Sequence, residues 1–145
     1  MGRSMRGVGL AAILGLCAAQ PAHSICRVTA TGNGGNSGAS WAAPLDLPTA
    51  LVTIGCGEIW VAQGVYKPNT NSPLVTTFNI RPGTALYGGF AGTETLLSQR
   101  NWALNLTVLS GDIDNNDTSV DGVLVDTNGI VGSNSKHVVY LDGTT

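Results

Sequence analysis

Apolar residues recur along this chain in short blocks separated by Gly, Asn, Thr and Ser, and the spacing inside the blocks changes from one region to the next. The first block, Val8 to Ala19, is continuous, follows Arg3 and Arg6, and is succeeded by Ala22 and Ser24 at the −3 and −1 positions of a cleavage site. It reads as a signal peptide over 1–24, cut after Ser24. A bilayer span needs about 20 apolar residues, so this run is too short to anchor the chain. Leu16 before Cys17 does not fit a lipoprotein leader, which requires a small residue there.

The second block has helical spacing. Leu47, Ala50, Leu51 and Ile54 fall at i, i+3, i+4 and i+7, with Asp46 placed to cap the N-terminus. Pro48 is tolerated in the first turn, and Gly55 is suited to a left-handed position after the end. So short a helix does not hold alone, so its apolar face is expected to cover the end of a larger core. With the loop before it, Thr29 to Ser40, it belongs to an N-terminal cap over 25–57. That loop has glycines but no Lys and no strand-to-helix setting, so it is a surface loop and not a phosphate cradle.

From residue 58 to 145 the blocks become strand-like: Glu58 to Ala62, Thr84 to Phe90, Leu106 to Ile113 and His137 to Leu141. Their centres, Val61, Leu86, Val108 and Val138, lie 25, 22 and 30 residues apart. The stretch from Thr77 to Gly92 is the hub of this series. Two β-like segments meet there at Arg81-Pro82-Gly83, and Gly88-Gly89 suits a tight bend. Recurrence at this spacing predicts an all-β fold, a right-handed parallel β-helix of which these are the first rungs. No amphipathic helix lies between the strands, which disfavours a doubly wound sheet. Short hairpin turns are few, which disfavours a β-sandwich.

Charged residues make up 11% of the chain, against about 25% in an average soluble domain, with a net charge of −2. No basic patch is available for a phosphate backbone, so nucleic acid is not an expected partner. Removing Cys17 with the leader leaves Cys26 and Cys56, an even pair in an oxidising compartment, and a disulfide between them is expected.

Candidate chemistry is sparse. Asp112, Asp114, Asn116, Asp117 and Asp121 have the oxygen density for calcium, yet Asp117 and Val123 stand where an EF-hand loop needs Gly and Glu. A solvated corner loop is the expected reading. Asp112 and Asp114 would share one face of a strand, about 7 Å apart, but any D-x-D does so. His137 lacks a companion nucleophile and reads as an ordinary strand residue. Trp41, Trp60, Trp102, Tyr66 and Tyr87 suggest a sugar-stacking stripe, against which stands ordinary core packing. Asn105 and Asn116 each open an Asn-x-Thr glycosylation pattern, not expected to be modified in a bacterial source. No catalytic, metal or cofactor residue is assigned.

Five stretches, "SWAAPLDL", "EIWVAQGVYKP", "FNIRPGTALYGGFAGTET", "QRNWALNLTVLSGDI" and "NSKHVVYL", together resemble the N-terminal part of bacterial secreted parallel β-helix proteins. These are pectin-lyase-like in fold and of the polymorphic outer-membrane or surface-protein type. The resemblance implies a secreted or cell-surface module with a structural, adhesive or carbohydrate-contacting role. Carbohydrate or cell-surface components are its expected partners. The alternative is the N-terminal part of a polysaccharide lyase or glycoside hydrolase. Family members carry further rungs and a C-terminal anchor, so the chain ending at Thr145 is expected to be a fragment.

Overall fold

The computed structural model describes residues 24–68, 76–124, 126–141 and 143. The expected leader therefore lies outside the described residues except for Ser24, which opens the first strand. Alternation along β1 (Ser24–Val28) turns Cys26 and Val28 inward, and β2 (Cys56–Ala62) lies parallel to it with Ile59 opposite Cys26 and Val61 opposite Val28. Between them runs α1 (Leu47–Val52), where the Asp46 carboxylate accepts the Thr49 N–H at 2.8 Å as the expected cap. Leu47, Ala50 and Leu51 are buried on the inner face of the β1 and β2 pair, but the helix stops at Val52 and Ile54 is 92% exposed. The predicted apolar face is thus one turn too long. Gly55 has the expected positive φ, +105°, although it sits in the turn leading to β2 and not directly after the helix.

The expected disulfide is present, Cys26 to Cys56, with both residues buried in the core beside Ile59 and Leu51. After β3 (Gly64–Tyr66), β4 (Phe78–Ile80) brings Phe78 under α1, and β5 (Ala85–Phe90) adds to β2 in parallel. Gly88 and Gly89 lie where the β2–β5 register shifts, so the expected bend is a bulge within the strand. Gly89 adopts φ +92°, which a side chain resists.

Downstream, β6 (Thr107–Leu109) pairs in parallel with β3, and β9 (Val139–Leu141) pairs in parallel with β4. Between them β7 (Ser119–Val120) and β8 (Val123–Leu124) form an antiparallel hairpin. Its turn is Asp121-Gly122 at φ +52° and +76°, the Asp-Gly pairing that a tight hairpin favours.

These pairings correct the expected solenoid. The four segments taken as one stacked series fall into three sheets: Val61 and Leu86 in the first, Val108 opposite Val65, and Val138 accepting the Phe78 N–H through its carbonyl where β9 meets β4. Among the described residues no sheet exceeds three strands, none closes into a solenoid, and one pair is antiparallel. Recurring β-rich blocks specify strand content and spacing. A solenoid requires in addition that each block lie in register on its predecessor, and that is a property of pairing partners which periodicity does not encode. Among the described residues no helix is long and apolar enough to cross a membrane.

Candidate functional site

Register determines what stands on the outer face of the three-stranded sheet. Arg27, Trp60 and Tyr87 are direct neighbours across β1, β2 and β5. The Arg27 guanidinium lies 5.4 Å from the Trp60 ring centroid and 5.9 Å from that of Trp41, and its Nη1 donates to the Ala39 carbonyl at 2.6 Å. Trp60 stacks on buried Phe90 at 4.7 Å, and Trp41 donates from Nε1 to the Glu94 carbonyl at 2.8 Å. Glu94 closes this end, its carboxylate accepting N–H groups of Ala91, Gly92 and Thr93. Burial works to raise the Glu94 pKa, but those backbone donors outweigh it and hold the carboxyl below its ordinary value. Trp41, Trp60 and Phe90 therefore serve packing. Tyr66 does too, since it is buried, donates its hydroxyl to the Ala62 carbonyl at 2.8 Å, and has its pKa pushed up by that burial.

At the β5 end the same chemistry opens to solvent. Arg100 lies 5.2 Å from the ring centroid of half-buried Tyr87 and 5.7 Å from that of Trp102, which is 71% exposed. The turn presenting Trp102 is locked from both ends. Asn101 Oδ1 accepts the N–H groups of Ala103 and Leu104, both at 3.1 Å, and the Asn105 N–H donates to the Asn101 carbonyl at 2.9 Å. Asn101 N–H and Asn105 Nδ2 both donate to the Gly89 carbonyl, at 2.7 and 3.2 Å. A Cβ on Gly89 would stand 2.9 Å from the Trp102 nitrogen, so the turn seats on the bulge only because that residue is Gly. Asn105, half-buried and bonded in this way, is part of the turn's support.

The second polar cluster joins the end of β3 to the acidic loop. Lys67 Nζ stands 2.9 Å from Asp112 Oδ2 and 2.5 Å from Asn115 Oδ1. Asp112 is buried. That burial works to raise its pKa, but the Lys67 ammonium and the backbone donors of Asn116 and Asn115 prevail and hold it below the ordinary carboxylate range. Asp114 accepts Ser133 N–H at 2.8 Å, while Asp117 accepts Val131 N–H at 2.7 Å and Asn134 Nδ2 at 3.2 Å. The carboxylates thus tie the loop across to 131–134. The strand-face pairing of Asp112 and Asp114 is not realised, because β6 ends at Leu109, Asp112 is buried and Asp114 is exposed. Among the described residues no group of three or more His, Cys, Asp or Glu is placed to hold a metal ion. A cleft of about 270 Å³ lined by Lys67, Ser110, Asp112, Asn115, Asp117 and Ser119 opens beside the pair. His137 is exposed, outside both clusters, and Asp121 is confined to the hairpin turn.

Sequence reading named the aromatics and the acidic loop but missed the residues that organise them, Arg27, Arg100 and Glu94 at the rings and Lys67 at the loop. Their rarity was the available clue, since in a chain with 11% charged residues a charge beside an aromatic block needs a reason. No family model, curated protein or solved structure matches this chain.

Proposed function

We propose that this chain is a secreted or cell-surface module that contacts carbohydrate and acts as a scaffold or adhesin without catalysing a reaction. The observation that carries the reading is Trp102, an exposed ring held on a hydrogen-bonded turn beside exposed Leu104. Scattered exposed apolar residues are ordinary, but an indole carried on a hydrogen-bonded turn provides a flat apolar surface whose backbone is already ordered within the fold. Sugars offer the matching surface in their C–H faces. The disulfide fits an oxidising compartment, and the apolar leader and the resemblance to bacterial surface proteins point to export.

The acidic cluster supports the noncatalytic part of the reading. Asp112 is held ionised by Lys67, so it carries no proton to donate to a leaving group at neutral pH, and Asp114 and Asp117 are engaged by backbone N–H groups. The test is affinity electrophoresis of the purified protein in gels containing soluble polysaccharides. Retardation by at least one glycan is expected, and Trp102→Ala should abolish it. Unchanged mobility in every glycan would reject the reading, and product released from pectin-like or other acidic glycans would overturn its noncatalytic part.

A further inference from the structure

Arg100 differs from the other arginines near the core in what its guanidinium does. Arg27 donates to the Ala39 carbonyl and Arg81 Nη2 donates to the Thr53 carbonyl at 2.8 Å. The Arg100 guanidinium donates no hydrogen bond and forms no ion pair among the described residues, and its neighbours are the rings of Tyr87 and Trp102. A guanidinium carries five N–H donors in a planar fork that matches an oxyanion in bidentate fashion. Ring contacts orient the plane of such a group without using those donors. Glu94, the carboxylate closest to Arg100 along the chain, is already engaged by the N–H groups of Ala91, Gly92 and Thr93, and the Glu58 carboxylate on the neighbouring strand accepts Trp60 Nε1 at 2.6 Å.

We infer that Tyr87, Arg100 and Trp102 form a subsite for a sugar unit bearing an anionic group, with the sugar ring on the Trp102 indole and its carboxylate or sulfate on the Arg100 fork. The inference rests on the carbohydrate-contacting reading and adds the charge of the ligand to it. Both halves of the recognition are prepared in advance. The indole stands on a turn fixed to Gly89 by Asn101 and Asn105, and Arg100 immediately precedes that turn with its N–H bonded to the Leu97 carbonyl. The backbone that carries both side chains is therefore ordered before binding, and only the two side chains remain to be fixed. The chain's net charge of −2 opposes general attraction of polyanions, so selectivity for such a ligand must come from this local fork and not from a basic surface.

Three polymers with one backbone test it: dextran, carboxymethyl-dextran and dextran sulfate, with polyglutamate as a charged chain lacking sugar. Binding constants from affinity electrophoresis or calorimetry are expected to be about tenfold tighter for at least one charged dextran than for dextran, and to weaken with added salt. Comparing the carboxylated and sulfated forms identifies the anionic group. Arg100→Gln and Arg100→Lys should each remove most of that preference, the lysine because it lacks the fork, while Trp102→Ala should weaken binding to all three dextrans. Equal binding of the three dextrans, or an undiminished preference in both Arg100 variants, would overturn this inference and leave the carbohydrate reading standing. Binding of polyglutamate as tight as that of carboxymethyl-dextran would also overturn it, since the sugar would then contribute nothing. Failure of the wild-type protein to bind any of the dextrans would overturn this inference, whereas the carbohydrate reading falls only if no glycan retards the protein.

Discussion

Opening the Cys26 to Cys56 bridge gives the most quantitative test of the architecture. The two residues are 30 positions apart, and both sulfurs lie in the core formed by β1, β2 and α1. Cross-linking a loop of this length removes chain entropy from the unfolded state worth about 3.6 kcal/mol at 25 °C in the chain-entropy model. Reduction leaves two thiols that still fill their places, so it should cost roughly that amount. The double variant Cys26→Ala, Cys56→Ala also deletes two buried sulfurs, which adds about 2 kcal/mol of lost packing. In urea, with a slope of about 1.5 to 2 kcal/mol/M, reductant should lower the wild-type midpoint by about 2 M and the double variant by about 3 M. The alanine variant should not respond to reductant at all. Urea titrations followed by circular dichroism, with mass measurement before and after alkylation to count thiols, would decide the matter. A wild-type midpoint unmoved by reductant, with both thiols shown free, would refute the reasoning.

Two further outcomes follow from the two clusters. Asp112 and Glu94 both have pKa values below the ordinary carboxylate range in the folded protein, so between those values and about pH 4 the unfolded chain binds more protons than the native one. Stability is therefore fully expressed above about pH 5 and falls as acid takes pH through the folded values. Urea midpoints should drop steadily below pH 5, with a shallower slope in Asp112→Asn, and equal midpoints at pH 6 and pH 3 would contradict this. Gly89→Ala places a Cβ 2.9 Å from the Trp102 nitrogen at a φ of +92°, and should destabilise by roughly 1 to 3 kcal/mol. The same change should weaken glycan retardation, because the turn carrying Trp102 must shift; native-like retardation would separate the bulge from the site.

Of the candidate site, sequence reading supplied the aromatic rings and left their arrangement undetermined. Trp41, Trp60 and Trp102 look alike as residues of a stripe, yet Trp60 is buried on Phe90, Trp41 is tied to Glu94, and only Trp102 faces solvent. The difference comes from pairing register and from the Asn101 turn. Asp112 was legible as an acid in a loop but not as the partner of Lys67, which lies 45 residues earlier.

What the sequence determined by itself is what neighbours along the chain decide. Asp46 caps Leu47–Val52 because its carboxylate reaches an N–H three residues on, Leu47, Ala50 and Leu51 share a face by helical period, and the paired cysteines follow from their number. The tertiary structure decided which strands meet. Gly64–Tyr66 takes Thr107–Leu109 and Phe78–Ile80 takes Val139–Leu141, choices made by long-range burial and hydrogen bonding that no local period expresses. Those choices replaced the expected solenoid with short separate sheets, and they set Arg100 between Tyr87 and Trp102 with its donors unspent.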